Sequence, residues 1–350
     1  MSFAGTHTAR KIEFLEAVRG IAAAVVVVQH VLAADIPGYA EISNQYLDLG
    51  RVGVVAFFLV SGYVIPMSLQ SQSLKVFLTR RFFRLYPVYW IALAIYCLIN
   101  INAGVFADEN LMTVMANIFM IQGLLGLASI LPPAWTLSIE LLFYGQAVGA
   151  QIMNRLRLIA LSGWCWLALY LILCLAARLL NRDMPVTFAL LLFVAAVGNS
   201  VYRRDQGTTS LLVPYLIAAA VVIPVGSVLS VDGEWPPFTY TISTFAGFAL
   251  FFAMYAIRNR QFSSVVIKLG AISYAVYIFH PIIADLIQIL PAISGWLAVG
   301  LNFVLVLVVG LAVHRYVELP FIGLGRRISK SYRGPDDKPT DPKSPATSRV

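Results

Sequence analysis

The sequence predicts an all-α, polytopic membrane protein of about ten transmembrane helices, with both termini in the cytoplasm. Three observations predict it. Of 350 residues, 59% are hydrophobic and only 12% charged. A water-soluble domain is about half apolar and a quarter charged, so the apolar excess must face lipid. Apolar runs close to the ~20 residues that a spanning helix needs recur along the whole chain. The connections between them alternate between basic and acidic, as retention of Lys and Arg on the cytoplasmic side requires. Length alone would accommodate two or three soluble domains, but the apolar runs argue for one membrane domain.

Taken in order, the first run covers 14–33. Arg10 and Lys11 precede it, yet Glu13, Glu16 and Arg19 interrupt the basic-then-apolar order of a secretory leader, and Gln29 and His30 spoil its apolar end. It reads as an uncleaved first span. An acidic connection (Asp35, Glu41, Asp48) leads to the second run, 50–69. Lys75, Arg80, Arg81 and Arg84 then precede the third, 86–103, whose helix is expected to start at Tyr86-Pro87. After Asp108 and Glu109 comes 112–130, apolar but broken by Asn117, Gln122, Gly123 and Gly126. If it crossed, every later loop charge would fall on the wrong side. It is therefore expected to be re-entrant or interfacial, which is tolerated where protein covers the free backbone groups.

Seven further runs complete the set: 135–153, 158–180, 186–201, 210–230, 238–257, 270–290 and 295–317. Basic connections carry Arg155 with Arg157, Arg203 with Arg204, and Arg258 with Arg260 and Lys268; Asp232 and Glu234 mark an acidic one. Residues 329–350, SKSYRGPDDKPTDPKSPATSRV, hold too little apolar surface to offset the entropy of ordering. They are expected to be a disordered cytoplasmic tail, leaving 1–328 as the integral membrane domain.

The net charge of +8 would suggest nucleic acid in a soluble protein. Here the cations flank apolar runs, so they serve topology, and no basic groove with interleaved aromatics speaks for nucleic acid. Cys97, Cys165 and Cys174 lie inside apolar runs. The last two fall on one helix about 13 Å apart by rise alone, too far to bridge, and no His/Cys metal spacing exists. All three are expected to be small core residues.

Function is sought among polar residues that interrupt the spans, because charge in hydrocarbon is costly. Arg19 and His30, in AVRGIAAAVVVVQHVL, are three helical turns plus about 20° apart. They share a face and are separated by ~16 Å along the axis. With the first span running outward, Arg19 lies near the cytoplasmic end and His30 in the outer half. The bland account is a snorkelling Arg and a hydrogen-bonded His. Glu140, in PPAWTLSIELLFY, is expected at about the depth of His30, so the two would form a base with its orienting carboxylate or a structural ion pair. Trp135 and Tyr144 flank it and would suit interfacial positions.

Arg80, Arg81 and Arg84 in TRRFFRLYPVYW are spaced so that one helical turn gathers them on a face. Their guanidinium forks suit phosphates, and ordinary positive-inside topology also explains them. Ser61 in FFLVSGYVI has no G-x-S-x-G context and reads as a small residue for close helix approach. His280, in SYAVYIFHPII, is mid-span before Pro281. HRYVELP, with His314, Arg315 and Glu318, closes the last run.

These blocks, in this order over most of residues 12–322, resemble the membrane-bound acyltransferase-3 family. Arg19-Gly20 followed by His30, FFLVSGYVI, RRFFRLYPVYW, WTLSIELLFY, SYAVYIFHP and YVELPF are each similar to a family block. Glu16 stands where the family usually has aspartate. The resemblance implies transfer of an acyl group, commonly acetyl from cytoplasmic acetyl-CoA or another acyl-CoA, to a hydroxyl of a cell-surface or lipid-linked saccharide across the membrane. It implies that His30 is the catalytic histidine, as base or acyl carrier, with Arg19 its motif partner, that Glu140 is an active-site acid, and that Arg80, Arg81 and Arg84 belong to the donor side. Trp135, Tyr144, Ser61 and His280 become candidates for substrate contact. No metal is implied. The expected location is the cell membrane, the bacterial inner membrane in particular, with lipid, acyl-CoA and a saccharide acceptor as partners. The competing reading is a proton-coupled secondary transporter relaying through His30, Glu140 and His280, or a polysaccharide-export partner. Nothing in the sequence selects a monomer or a dimer.

Overall fold

A computed structural model describes residues 3–100, 110–230, 236–289 and 294–332, with side chains from residue 13 onward. The described residues are helical and contain no strand. The helices are α1 (Phe3–Asp35), α2 (Tyr39–Tyr46), α3 (Leu49–Gln70), α4 (Leu74–Ile99), α5 (Leu111–Ile118), α6 (Ala134–Ile152), α7 (Arg157–Leu180), α8 (Val186–Asp205), α9 (Leu212–Leu229), α10 (Pro237–Ala256), α11 (Ser264–Gln288), α12 (Gly295–Val313) and α13 (Leu319–Lys330). A 3-10 turn covers Gln122–Leu125, and a π turn over His314–Glu318 joins α12 to α13. Nine helices among the described residues are long and apolar enough to cross a membrane. The 19-residue α6, expected as a tenth span, falls short of that apolarity because it carries Glu140, Gln146 and Gln151. The chain is a polytopic membrane protein.

Segment 112–130 does not cross. Its α5 has only 8 residues, about 12 Å of rise. Its backbone is covered by protein, as membrane depth demands. Tyr89 Oη donates to the Asn117 carbonyl at 2.6 Å and Trp90 Nε1 to Ile118 at 2.9 Å. Ser138 Oγ donates to Met120 O at 2.8 Å. The buried Asn117 amide donates to the Thr113 and Ala128 carbonyls and accepts from Ile130 N, each at 2.9 Å.

The third span differs from expectation. Helix α4 begins at Leu74, and Pro87 lies inside it. The arginines therefore sit on the spanning helix itself rather than ahead of it. Proline also lies inside α3, α9 and α11, which membrane helices tolerate because neighbours re-satisfy the freed carbonyls. Residues 101–103, the last of the expected third span, lie outside the described residues. The expected tail from 329 starts inside α13, which runs to Lys330; residues 333–350 lie outside the described residues.

Helices α1, α3, α8 and α11 form the centre. They approach closely where glycine removes a side chain. A Cβ on Gly62 would stand 1.9 Å from the Ala195 carbonyl oxygen, and one on Gly198 2.1 Å from that of Leu59, so α3 and α8 interlock reciprocally. A Cβ on Gly270 would stand 2.0 Å from Glu16 O, which locks α11 to α1.

The helix ends sort by charge. At one end Arg80 Nε donates to Ser329 Oγ at 3.1 Å, tying α4 to α13. There too Asp205 at the end of α8 accepts from Tyr63 at 2.7 Å and from Tyr255 at 2.5 Å, beside Arg258 at 4.0 Å. At the other end Asn302 donates to Asp35 at 2.9 Å and Asn100 to Asp285 at 3.2 Å. Arg178 and Arg182 depart from this sorting. Arg178 is in the last turn of α7, where a cation complements the helix dipole, and Arg182 lies just beyond it. None of the three cysteines forms a disulfide. Cys174 is buried as expected and Cys97 half-buried, whereas Cys165 lies on the exposed side of α7. That side would face lipid, so an apolar run did not mean core.

Candidate active site

Two cavities lie between the central helices. The inner one, about 230 Å³, lies toward the basic end. Its polar lining includes Glu16, Arg19, Ser61, Arg81, Arg84, Thr136, Glu140 and Tyr144. The outer one, about 810 Å³, is lined by Gln29, His30, Asn44, Asp48, Arg51, Trp135, Thr187 and His280 among others. Val54 and Tyr277 line both.

In the inner cavity Arg19 pairs with Glu16 one turn before it, Nη1 to Oε1 at 3.2 Å. Arg81 lies over the rings of Phe77 and Tyr144, 5.4 Å from each centroid, a cation–π arrangement. Tyr144 donates a short hydrogen bond to Glu140 Oε1 one turn away on α6. Three guanidinium groups thus face two carboxylates, leaving the cavity a net cation. That suits a multiply anionic ligand such as a phosphate ester.

In the outer cavity His30 Nδ1 lies 2.8 Å from the Val26 carbonyl and His280 Nδ1 2.7 Å from the Tyr277 carbonyl. A carbonyl only accepts, so each Nδ1 carries a proton, and in the neutral ring Nε2 is the nitrogen with the lone pair. The ring centroids stand 4.9 Å apart at 52°. His30 is exposed into the cavity, whereas His280 is 2% exposed. The residue before His30 braces it: Gln29 donates to Ser43 Oγ at 2.6 Å and accepts from Leu49 N at 3.1 Å, which fixes α1 against α2 and α3.

The expected His30–Glu140 pair is not formed. His30 faces His280, and Glu140 lies in the other cavity with Tyr144. The reason is depth. Because 110–133 folds inward, α6 starts below the outer surface. Thr136 in its first turn reaches Tyr277 at 2.8 Å, one turn inward of His280. Glu140 is a further turn inward. The transporter relay through His30, Glu140 and His280 loses its continuity for the same reason.

The candidate substrate residues divide. Trp135 and His280 line the outer cavity, while Ser61 and Tyr144 line the inner one. Arg80 does not join Arg81 and Arg84. Its guanidinium also donates to Gln72 at 3.2 Å, so it serves the α4–α13 joint. Arg51 is a residue that the sequence alone does not single out. Its guanidinium carbon stands 3.7 Å over the Tyr240 ring, and it lines the outer cavity. The signal is a lone arginine opening an apolar run, DLGRVGV, masked by the acidic connection before it. At the other end of the chain His314 Nδ1 meets the buried Glu318 at 2.7 Å within the π turn. Among the described residues no group of three or more His, Cys, Asp or Glu could hold a metal.

The comparisons agree with this architecture. The chain is similar to the exopolysaccharide production protein ExoZ of Rhizobium meliloti (strain 1021), with 25% identity over 342 residues, 84% of this chain and 97% of that one. No solved structure matches. The family model described as an acyltransferase domain, acyltransferase 3, matches residues 12–315, so the chain belongs to the acyltransferase-3 family and is a membrane acyltransferase.

Proposed function

We propose that the protein moves an acetyl group from cytoplasmic acetyl-CoA to a hydroxyl of an exopolysaccharide or its lipid-linked precursor, in a bacterial inner membrane. The observation that carries this reading is the pair of cavities of opposite chemistry meeting at Val54 and Tyr277. Arg19, Arg81 and Arg84 line the inner one, and the two imidazoles, with Arg51, line the outer one. The relative's name supports the polysaccharide. The same sorting of charge supports cytoplasmic termini.

Arg81, Arg84 and Arg19 hold the CoA phosphates, which leaves the pantetheine arm to extend along the inner cavity toward the waist. The ~16 Å of rise between Arg19 and His30 is within reach of an extended arm. The acceptor occupies the outer cavity among Trp135, Asn44, Asp48 and Arg51. His30 Nε2 takes the proton of the acceptor hydroxyl as its oxygen attacks the thioester carbonyl. The carbon–sulfur bond breaks, and the CoA thiolate recovers a proton. The Val26 carbonyl holds the Nδ1–H tautomer, the part first expected of Glu140. Glu140 and Tyr144 instead shape the floor where the arm enters.

The test is mass spectrometry of surface polysaccharide. A deletion strain should lose an acetyl ester that the wild-type gene restores and His30→Ala does not, although the variant is present in the membrane. General-base loss is expected to cost about 10²–10⁴ in rate. An unaltered ester pattern in the deletion strain would refute the reading.

A further inference from the structure

Tyr277 stands where the two cavities meet. On α11 it lies between Tyr274, which lines the inner cavity, and His280, which lines the outer one. Its ring packs edge-on against Phe57 at 5.8 Å and lies 6.0 Å from the His280 ring. Its hydroxyl is 2.8 Å from Thr136 Oγ1 and 3.3 Å from the Pro133 carbonyl. Thr136 in turn donates to the same carbonyl at 2.9 Å. Tyr277 is 8% exposed and Thr136 6%. Two hydroxyls and one carbonyl thus form a closed cluster across the waist.

The anchor of this cluster is a wall of the outer cavity. Pro133 is the residue before α6, and Pro132, Pro133 and Trp135 all line the space assigned to the acceptor. An acceptor filling that space leans on Pro133, whose carbonyl holds both the Tyr277 and the Thr136 hydroxyls. An empty outer cavity leaves them undisturbed.

We propose that Tyr277, latched to Thr136 and the Pro133 carbonyl, closes the waist between donor and acceptor cavities until an acceptor is seated, and so protects the thioester from water. The inference rests on the donor reading above. The reaction it suppresses is hydrolysis. Water from the outer cavity attacks the thioester carbonyl, a carbon–oxygen bond forms and the carbon–sulfur bond breaks. The products are acetate, the free CoA thiol and one proton, which His30 Nε2 collects and passes to solvent. A latch of hydroxyl bonds suits this task, because each such bond contributes only a small net free energy. Acceptor binding can therefore undo it.

The experiment uses the purified full-length chain in lipid nanodiscs with acetyl-CoA alone and no saccharide. Release of free thiol is followed over time, and acetyl-CoA affinity is measured in parallel. Tyr277→Phe keeps the ring and removes the hydroxyl; Thr136→Val keeps the shape and removes its partner. Each should raise acceptor-independent thiol release about fivefold to tenfold, the factor one buried hydrogen bond supplies. The double variant should add little, because both members serve one latch. A residue that merely stabilised the fold would not accelerate hydrolysis. Thiol release at the wild-type rate in both variants, with acetyl-CoA still bound, overturns the latch and spares the donor reading. Absence of acetyl-CoA binding by the wild-type protein overturns the donor reading and the latch together.

Discussion

Arg81 and Arg84 differ from Arg80 in what they face, and under the proposed function that difference decides which substitution touches the donor. Arg81 and Arg84 line the inner cavity, whereas Arg80 is held by Ser329 and Gln72. Loss of a charge-assisted hydrogen bond costs about 1.5–3 kcal/mol, roughly a tenfold to hundredfold change in an equilibrium. Arg84→Ala should therefore raise the acetyl-CoA KM by about that factor and leave kcat much less affected. Arg80→Ala should leave the donor titration in place and lower thermal stability through the α4–α13 joint. Steady-state kinetics in nanodiscs, with a melting curve beside them, separates the two; equal KM shifts in both variants would return Arg80 to the donor site. Arg19, His30 and Glu140 stood out by their chemistry inside apolar runs, and Arg81 and Arg84 by their spacing ahead of one. Their partners were not. Spacing along one helix shows which residues share a face, but His30 meets His280 across 250 residues of chain, and only packing reveals that. Arg51 escaped because one cation at a span boundary looks like any loop charge.

Among the elements, the α3–α8 crossing is the most demanding. Gly62 and Gly198 lie against the backbones of Ala195 and Leu59. The atoms in the way are main-chain atoms, which cannot rotate aside. Gly198→Val should force the helices apart and collapse the yield of folded protein, read as loss of the monodisperse peak and of thermal stability. A substitution at Gly145 or Gly149, where a Cβ meets nothing within 4 Å, should be tolerated. If Gly198→Val behaved like the Gly149 variant, the close packing described here would be wrong. Most spans were readable because a helix in lipid must satisfy its own backbone, so length and composition suffice. The re-entrant nature of 112–130 was also readable, from the charge alternation that a crossing would break. The start of α4 was not, because proline and arginine commonly mark helix boundaries. In a bundle, neighbours cover the carbonyl that proline leaves free, and long cationic side chains reach a polar cavity from inside the span.

At the scale of the whole molecule, the proposed function makes the enzyme a relay between two compartments. Basic helix ends and the arginine-lined cavity share one side, and the larger imidazole-lined cavity lies toward the other, where the loops are acidic. Loop charges alone are enough to read this sidedness, because cytoplasmic retention of Lys and Arg acts on each connection separately. The meeting of the two cavities at one tyrosine could not be read from loops, since it arises where α3, α6 and α11 converge. The central claim is that the donor enters from the cytoplasmic face and the ester appears beyond the opposite one. Its most direct measurement gives labelled acetyl-CoA to sealed membrane vesicles of a producing strain, prepared inverted and right side out. The expected result is labelled ester on polysaccharide inside the inverted vesicles, none from right-side-out ones, and loss of label with His30→Ala. Equal labelling in both orientations, or labelling that survives loss of His30, would contradict it.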